Sequence, residues 1–315
     1  MNKPFASSAD LNEQRPQVVE LAPDVYGYIS ASDPNCGFVV GRDCVLAVDT
    51  TATPASARRW LEEVRKITDK PVRYVFLTHY HAVRVMGVSA FEGATIIASR
   101  GTGSLIEERG LADYESERVR MPRLFADADV IEGLSTPHIT FQDELTLDLG
   151  NQKVVLKHLG RGHSAGDAVC WIPGADVMFG GDLIENRCGI YCGDAYLADW
   201  LETLERLREC APRVLVPGRG NPMRTPKEIS DAIDTHKDFL VTLLATVRYG
   251  LSQGLDLKGC YDLADRQLTA RFGDWPVYRH VLPFDVARAF DELRGLRHPQ
   301  IWTTEKDRQL WAALV

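Results

Sequence analysis

The sequence predicts an α/β sandwich followed by a helical C-terminal extension, and two observations support this prediction. Short apolar runs separated by turn residues begin at Val25 and recur as far as residues 213–218, interrupted by stretches with helical spacing. After Pro226 the strand pattern stops, and apolar residues recur at the spacing of helices. We therefore expect a polar arm over residues 1–20, an α/β domain over 21–225 and a helical region over 226–315.

The elements follow one another in two series. The first contains the strands VYGYIS, CGFVVG and CVLAVDT, a helix over residues 55–67 that Thr53 and Pro54 begin, and the strands RYVFLT and TIIAS. Residues 100–136 are less periodic and predict helix and loop. The second series contains the strands ITF, LTLDL, VVLKHL, AVCWI and VMFGG, a helix from Asp199 and a last strand in RVLVPG. Strands and helices thus alternate twice, which is typical of a layered α/β fold.

The charge balance and the cysteines argue against several classes of protein. The chain has 36 basic and 44 acidic residues and a net charge of −8, which argues against a binder of nucleic acids or anionic membranes. The 7 cysteines are an odd number, so we expect reduced thiols in the cytoplasm and no disulfide framework. We expect no secretory signal, because the first twenty residues contain no apolar run. We also expect no membrane span, because no apolar stretch approaches eighteen residues.

Four polar motifs each lie at the end of a predicted strand. They are His79-Tyr80-His81, Gly162-His163-Ser164-Ala165-Gly166-Asp167, Phe179-Gly180-Gly181-Asp182 and Pro217-Gly218-Arg219-Gly220. Two imidazoles at i and i+2 in a loop can bind one metal ion, and ligand sites of α/β sheets form at such strand ends. Taken alone, the histidine pair is a weak signal, since two surface histidines give the same pattern.

In order and spacing, the four motifs resemble those of the metallo-β-lactamase superfamily, from Val25 to Gly220. Asp49, at the end of CVLAVDT, also fits an early strand of that family. The resemblance implies an αββα sandwich with a first metal site of three histidines, which are His79, His81 and His163 here. It also implies that Asp182 corresponds to the aspartate that usually bridges two metal ions.

Three positions depart from the family pattern, and all three belong to its second metal site. Val83 and Arg84 stand where the first motif normally has aspartate and histidine, and Arg219 stands where the last motif normally ends in histidine. A guanidinium has no lone pair for a metal and stays positively charged, so two of them should repel a second ion. We therefore expect one metal ion per chain, with zinc as the first choice and iron as the alternative.

These residues predict a hydrolase that uses one metal-bound water or hydroxide. The substrate classes that stay open are small-molecule esters, lactones, thioesters, amides and activated halides. Asp182 is a candidate metal ligand and catalytic group that orients the water and takes its proton. Arg84 is a candidate catalytic and substrate-binding residue, and Arg219 and Tyr191 are further candidates for binding a substrate, which the arginines suggest is anionic.

Two alternatives and one structural question stay open at this stage. His79, His163 and Asp182 could form the facial triad of a mononuclear iron oxygenase, since the superfamily includes the persulfide dioxygenases. A non-catalytic binding protein could instead retain the histidines as a structural cluster. The apolar stripe of the C-terminal helices predicts packing, either along the substrate pocket or in a homodimer.

Overall fold

A computed structural model describes Ser7, residues 14–127 and residues 133–315. Within these residues, the first sheet has seven strands, which lie side by side in chain order. They are β1 (Gln17–Ala22), β2 (Val25–Ile29), β3 (Cys36–Val40), β4 (Val45–Val48), β5 (Val72–Leu77), β6 (Thr95–Ser99) and β7 (Ile139–Phe141). Strands β1 to β4 pair antiparallel, whereas the pairs from β4 to β7 are parallel.

The second sheet has five strands in the described residues, in the spatial order β12-β11-β10-β9-β8. They are β8 (Glu144–Asp148), β9 (Lys153–Lys157), β10 (Val169–Ile172), β11 (Val177–Phe179) and β12 (Val214–Val216). Strands β11 and β12 are parallel, and the other pairs are antiparallel. Buried side chains of both sheets, such as Val39 and Phe76 of the first and Leu156 and Cys170 of the second, form one core between the sheets.

Helices cover both outer faces of the stacked sheets. The first sheet packs against α1 (Pro54–Arg65), α2 (Ala82–Val85) and α3 (Arg100–Arg120) through a second apolar core. On the side of the second sheet, a third core joins α4 (Leu197–Glu209), α5 (Pro226–Ser252), α6 (Leu257–Phe272), α7 (Tyr278–Leu293) and α8 (Thr304–Leu314). The predicted αββα sandwich with a helical C-terminal region is therefore confirmed.

Two elements, α5 and β1, lie at the boundaries of the predicted regions. Helix α5 begins at Pro226 as expected, because Thr225 caps its first turn through the backbone N–H of Glu228. The polar arm predicted over residues 1–20 overlaps β1, which begins at Gln17, so that part of the prediction is wrong. Strand β1 lies at the edge of its sheet, where polar side chains are tolerated and the apolar pattern is weak. Apart from Ser7 and residues 14–16, the rest of the arm lies outside the described residues.

Strand direction places the four polar motifs at one edge of the sandwich. Strands β4 and β5 are parallel, so Asp49 and the Thr78–His81 loop follow them at the same end. In the second sheet β11 and β12 are also parallel, and Asp182 and Arg219 follow their ends. None of the helices in the described ranges has an apolar stretch that could cross a membrane.

Candidate metal centre

Four buried side chains meet at this edge of the sandwich. They are His79, His81, His163 and Asp182, and one ligand atom of each lies within 4.8 Å of the others. The Nε2 atom of His163 lies 2.9 Å from Nδ1 of His81, and Asp182 Oδ2 lies 3.6 Å from Nε2 of both His79 and His163. The structure thus brings together the four residues for which the sequence predicted metal binding.

The outward nitrogen of each imidazole is held by a neighbouring polar group. The partners are Thr78 Oγ1 at 3.0 Å for His79, Asp194 Oδ2 at 3.2 Å for His81 and the Tyr191 carbonyl at 2.9 Å for His163. Thr78 Oγ1 donates to the carboxylate of Asp49, so it accepts from His79 Nδ1. A ring that donates outward keeps its inward nitrogen free to accept, which is the form that binds a metal ion.

The inward nitrogens form a donor set that fits a metal ion. The Nε2 atom of His79 is buried and makes no hydrogen bond within the described residues. Buried polar atoms without partners are rare and usually mark a missing ion or water. Three imidazole nitrogens with a nearby carboxylate match the ligands of open zinc sites, so the residues present fit the metal that the family resemblance implies.

Asp182 is held by both arginines that stand at the positions of the second metal site. Its Oδ1 accepts a hydrogen bond from Arg84 Nη2, and its Oδ2 lies 3.1 Å from Arg219 Nη1. Burial would raise the pKa of this carboxyl, but Arg84, His79 and Arg219 outweigh it and hold the pKa well below the usual range. Asp182 is therefore a carboxylate at neutral pH.

Arg84 lies behind Asp182 and has no exposed surface. Its guanidinium donates to the carbonyls of Asn35 and Gly218 as well as to Asp182, and Asp49 Oδ2 lies 3.6 Å from its Nη1. These contacts engage the terminal nitrogens of the guanidinium. The sequence predicted that Arg84 binds the substrate. In the structure the side chain is enclosed by protein and contacts Asp182 instead.

Arg219 differs from Arg84 in that it reaches the space beside the metal donors. Its Nη1 contacts Asp182 and lies 3.3 Å from Oε1 of Glu185, whose Oε2 accepts a hydrogen bond from the Arg219 backbone. Burial and the nearby Asp182 raise the pKa of Glu185 to about 8, against the opposing effect of Arg219. Glu185 was not singled out in the sequence, because it lies in a loop without strand or helix periodicity.

Asp194 is a second residue beside the donor set that the sequence did not identify. Its carboxylate is buried and contacts His81 Nε2, Arg109 Nη1 at 3.3 Å and the hydroxyl of Tyr191 at 3.1 Å. Burial would lower the pKa of His81, but Asp113 and Asp194 raise it to about 9. No local motif in the sequence indicates this role of Asp194. The carboxylate lies in a loop, and its partner Arg109 belongs to α3, which is distant in the sequence.

Several other residues, among them the predicted substrate-binding residue Tyr191, surround the centre without joining the donor set. Tyr191 accepts from His163 through its carbonyl and packs its ring against His81 and His163. Cys188 and Cys192 are buried thiols, and the backbone N–H of Cys192 donates to Asp285. The ring of His280 is buried beside Ser7 and Arg120.

Two neighbouring cavities lead from the donor set outwards. The inner cavity has a volume of about 20 Å³. Its lining consists of His81, His163, Asp182, Glu117, Arg120, Arg219, Tyr191, Val83, Met121, Gly189, Val277 and Val281. The outer cavity has a volume of about 390 Å³ and shares Met121, Arg219 and Val277 with the inner one. The helical C-terminal region therefore lines both cavities and covers the centre.

Comparison with known proteins identifies the family. The model of the metallo-β-lactamase superfamily matches residues 30–219, which is more than half of the chain. The chain belongs to this superfamily. It is 23% identical over 217 residues to a type 2 metallo-β-lactamase of Bacteroides fragilis, a match that covers 65% of this chain and 79% of the relative.

Two further relatives show the range of this superfamily. A linear primary-alkylsulfatase of a Pseudomonas species is 24% identical over 247 residues, covering 67% of this chain and 46% of the relative. The solved metallo-β-lactamase of Pontibacter korlensis matches with a TM-score of 0.57 and 20% identity, covering 70% of this chain and 97% of that one. The structural match supports the fold, and superfamily membership supports a metal-dependent, hydrolase-like function.

Proposed function

We propose that the protein is a hydrolase that works with one metal ion, zinc, on a small-molecule substrate. The observation that supports this most directly is the contact of both Arg84 and Arg219 with Asp182, while three imidazoles point at the same place. Two fixed positive charges beside Asp182 disfavour a second cation there, so only the site of three histidines remains. The free thiols of all seven cysteines fit a cytoplasmic location, which is part of the proposal.

Each residue of the centre has its own role in this proposal. His79, His81 and His163 would hold the ion, which would supply Lewis-acid chemistry by lowering the pKa of a water molecule. Asp182 accepts a hydrogen bond from the attacking water and orients it. Because the pKa of Asp182 is so low, this carboxylate binds a proton weakly and acts mainly by orientation. Arg84 is a positioning residue, since it fixes Asp182 from behind.

Elemental analysis tests the metal content before any substrate is known. Protein purified without chelators should contain about one zinc ion per chain, and His163→Ala should lose it. His298→Ala is the matched control, because His298 is exposed and far along the chain from the donor set. Two metal ions per wild-type chain, or an unchanged zinc content in His163→Ala, would contradict the proposal.

Activity is tested on a panel of esters, lactones, thioesters, amides and halides. The panel also contains a β-lactam and a linear alkyl sulfate, since relatives of the chain are named for these activities. Hydrolysis should stop with a chelator and return with zinc. Binding of a panel compound without turnover, unchanged by the chelator, would indicate a non-catalytic binding protein.

The iron oxygenase alternative makes a different prediction. A facial triad of His79, His163 and Asp182 would leave His81 without a role, whereas His81 Nδ1 lies 2.9 Å from His163 Nε2 inside the donor set. This contact favours the site of three histidines. A content of about one iron ion per chain, together with oxygen consumption on thiol or persulfide substrates, would contradict the hydrolase proposal and support an oxygenase.

A further inference from the structure

We propose that the substrate is a small organic anion and that Arg219 binds its negatively charged group where the inner and outer cavities meet. The inference rests on the proposed hydrolase function and adds the chemical class of the substrate, an anionic group attached to an apolar body. It follows from the sizes of the two cavities, the bonding of Arg219 and the side chains of the outer cavity.

The cavity sizes place the body of a substrate outside the metal centre. The inner cavity of about 20 Å³ has room for little more than one water molecule. The outer cavity of about 390 Å³ lies within the usual range for small-molecule sites. A substrate would therefore reach the donor set with one small end, while its body stays in the outer cavity.

Arg219 is the one charged residue among the three described side chains that line both cavities. It is largely buried, and its Nη1 contacts Asp182 and Glu185. Within the described ranges its Nε and Nη2 make no hydrogen bond, although a guanidinium has five N–H donors. An anionic group entering from the outer cavity can accept these remaining bonds, which are strong because both partners are charged.

The charges in the outer cavity also favour an anion. Its described charged side chains are Arg123, Arg219, Arg279 and Asp33. Asp33 forms an ion pair with both terminal nitrogens of Arg123, so these two charges offset each other. Arg279 lies at the exposed rim, 3.9 Å from Asp265, which leaves its charge only weakly compensated.

Part of the wall of the outer cavity is apolar and is formed by Met121, Leu124, Trp275, Pro276 and Val277. The uncharged polar side chains in its lining are Ser7, Gln14, Ser32 and His280. Burying an apolar group between the apolar side chains is favourable because it removes apolar surface from water. The outer cavity therefore fits an apolar body that ends in a carboxylate, sulfate or phosphate group next to Arg219.

Calorimetric binding of three matched probes tests the charge requirement on the wild-type chain. The probes are 4-phenylbutyrate, 4-phenylbutanol and 4-phenylbutylamine, which share one apolar body and differ in charge. The anion should bind about 10-fold or more tighter than the alcohol, as expected for a hydrogen bond between charged groups, and the amine should bind most weakly. Each titration is made with zinc-loaded and with metal-free protein.

Variants test whether Arg219 is responsible. Arg219→Gln should remove the preference for the anion, and Arg219→Lys should retain part of it. Since Arg219→Gln leaves Glu185 without its partner, the double variant Arg219→Gln/Glu185→Gln removes the buried pair together, and circular dichroism checks that each variant folds. Arg42→Gln is the matched control, because it makes the same charge change in the β3–β4 turn, at the end of β4 opposite Asp49.

The outcomes separate this inference from the proposed function. Equal binding of anion and alcohol, no binding of any probe, or an equal loss in Arg42→Gln would overturn the anion site. Selective binding through Arg219, in a protein that contains no metal when it is purified without chelators, would retain the anion site and reject the metal-dependent hydrolase. Zinc-dependent hydrolysis that shows no preference for anionic over neutral substrates, in the wild type as in Arg219→Gln, would retain the hydrolase and reject the anion site.

Discussion

At the scale of single residues, hydrogen bonds to the outward imidazole nitrogens prepare the centre for a metal ion. In its neutral form each ring can accept with the inward nitrogen, because the opposite nitrogen donates to Thr78, Asp194 or the Tyr191 carbonyl. Such partners fix both the ring orientation and the tautomer. Asp194 is the one carboxylate among these three direct partners, so its charge also makes His81 a stronger ligand.

Asp194→Asn should weaken zinc binding about 10- to 100-fold, because the amide orients His81 less well and carries no charge. Competition with a chromophoric chelator measures this affinity directly. Asp199→Asn is the matched control, since Asp199 pairs with Arg161 at the surface. If the two variants bind zinc equally well, Asp194 has no role in holding His81.

His236 should make the protein sensitive to acid. Its ring is buried against Trp200, neither nitrogen has a hydrogen-bond partner among the described residues, and burial, helped by His163, lowers its pKa to about 3. Below the unfolded pKa of about 6.5, the unfolded chain takes up a proton that the folded chain refuses, so stability falls as the pH falls. At pH 5 the free energy of unfolding is lower by about 2 kcal/mol for this reason.

His236→Phe should remove that loss while retaining the ring packing. Urea unfolding at pH 7 and pH 5 should therefore show a difference between the two pH values that is about 2 kcal/mol smaller than in the wild type. His298→Phe, at an exposed position, should leave the difference unchanged. A variant with the wild-type acid dependence would show that other groups cause it.

At the scale of elements, the ends of parallel strands assemble the centre. The turn after β12 passes so close to Asp182 that only glycine fits at position 218. A Cβ at Gly218 would overlap Asp182 Oδ1 and approach Arg84 Nη2 to 3.0 Å. The Gly218 carbonyl also accepts from Arg84 and from the backbone of Asn35, so this turn holds the loops of both sheets together.

Gly218→Ala should displace Asp182 and lower zinc affinity, with a loss of stability of about 1–3 kcal/mol from overpacking. Metal titration and thermal unfolding measure the two effects. Gly174→Ala should cause neither, because the nearest atom to an added Cβ there is 3.8 Å away. Wild-type zinc affinity in Gly218→Ala would mean that the position of Asp182 does not matter for the ion.

At the scale of the whole molecule, the C-terminal helices belong to the same folded unit as the sandwich. Trp200 of α4 and Ile233, Phe239 and Leu243 of α5 are buried in one apolar core. Val277 and Val281, in the region of α7, line the inner cavity. Most of the apolar stripe predicted from the sequence is therefore buried within the chain. The homodimer through these helices stays a prediction.

A chain that ends at residue 225 should not fold cooperatively, because it exposes the apolar side of α4 and opens the inner cavity. Thermal unfolding followed by circular dichroism should show no sharp transition, and sedimentation should show aggregation. A sharp transition with zinc bound would instead establish residues 21–225 as an independent domain. Full-length protein in the same buffer is the reference.

The sequence by itself determined the layered fold and the residues of the donor set. Strand ends marked by polar motifs are local features, and their order resembles a family pattern, so the chain alone was enough to choose His79, His81, His163 and Asp182. The start of α5 was also predictable, because a capping threonine and a first-turn proline are local signals. Strand β1 was missed, since an edge strand carries a weak apolar pattern.

Only the tertiary structure decided how the neighbours of these residues act. Arg84 and Arg219 look equivalent in the sequence, but the fold encloses one behind Asp182 and opens the other to two cavities. Asp194 and Glu185 lie in loops, and nothing local in the chain indicates that His81 and Arg219 will contact them. The physical reason is that burial, charge compensation and cavity shape depend on residues that are distant in sequence and meet only after folding.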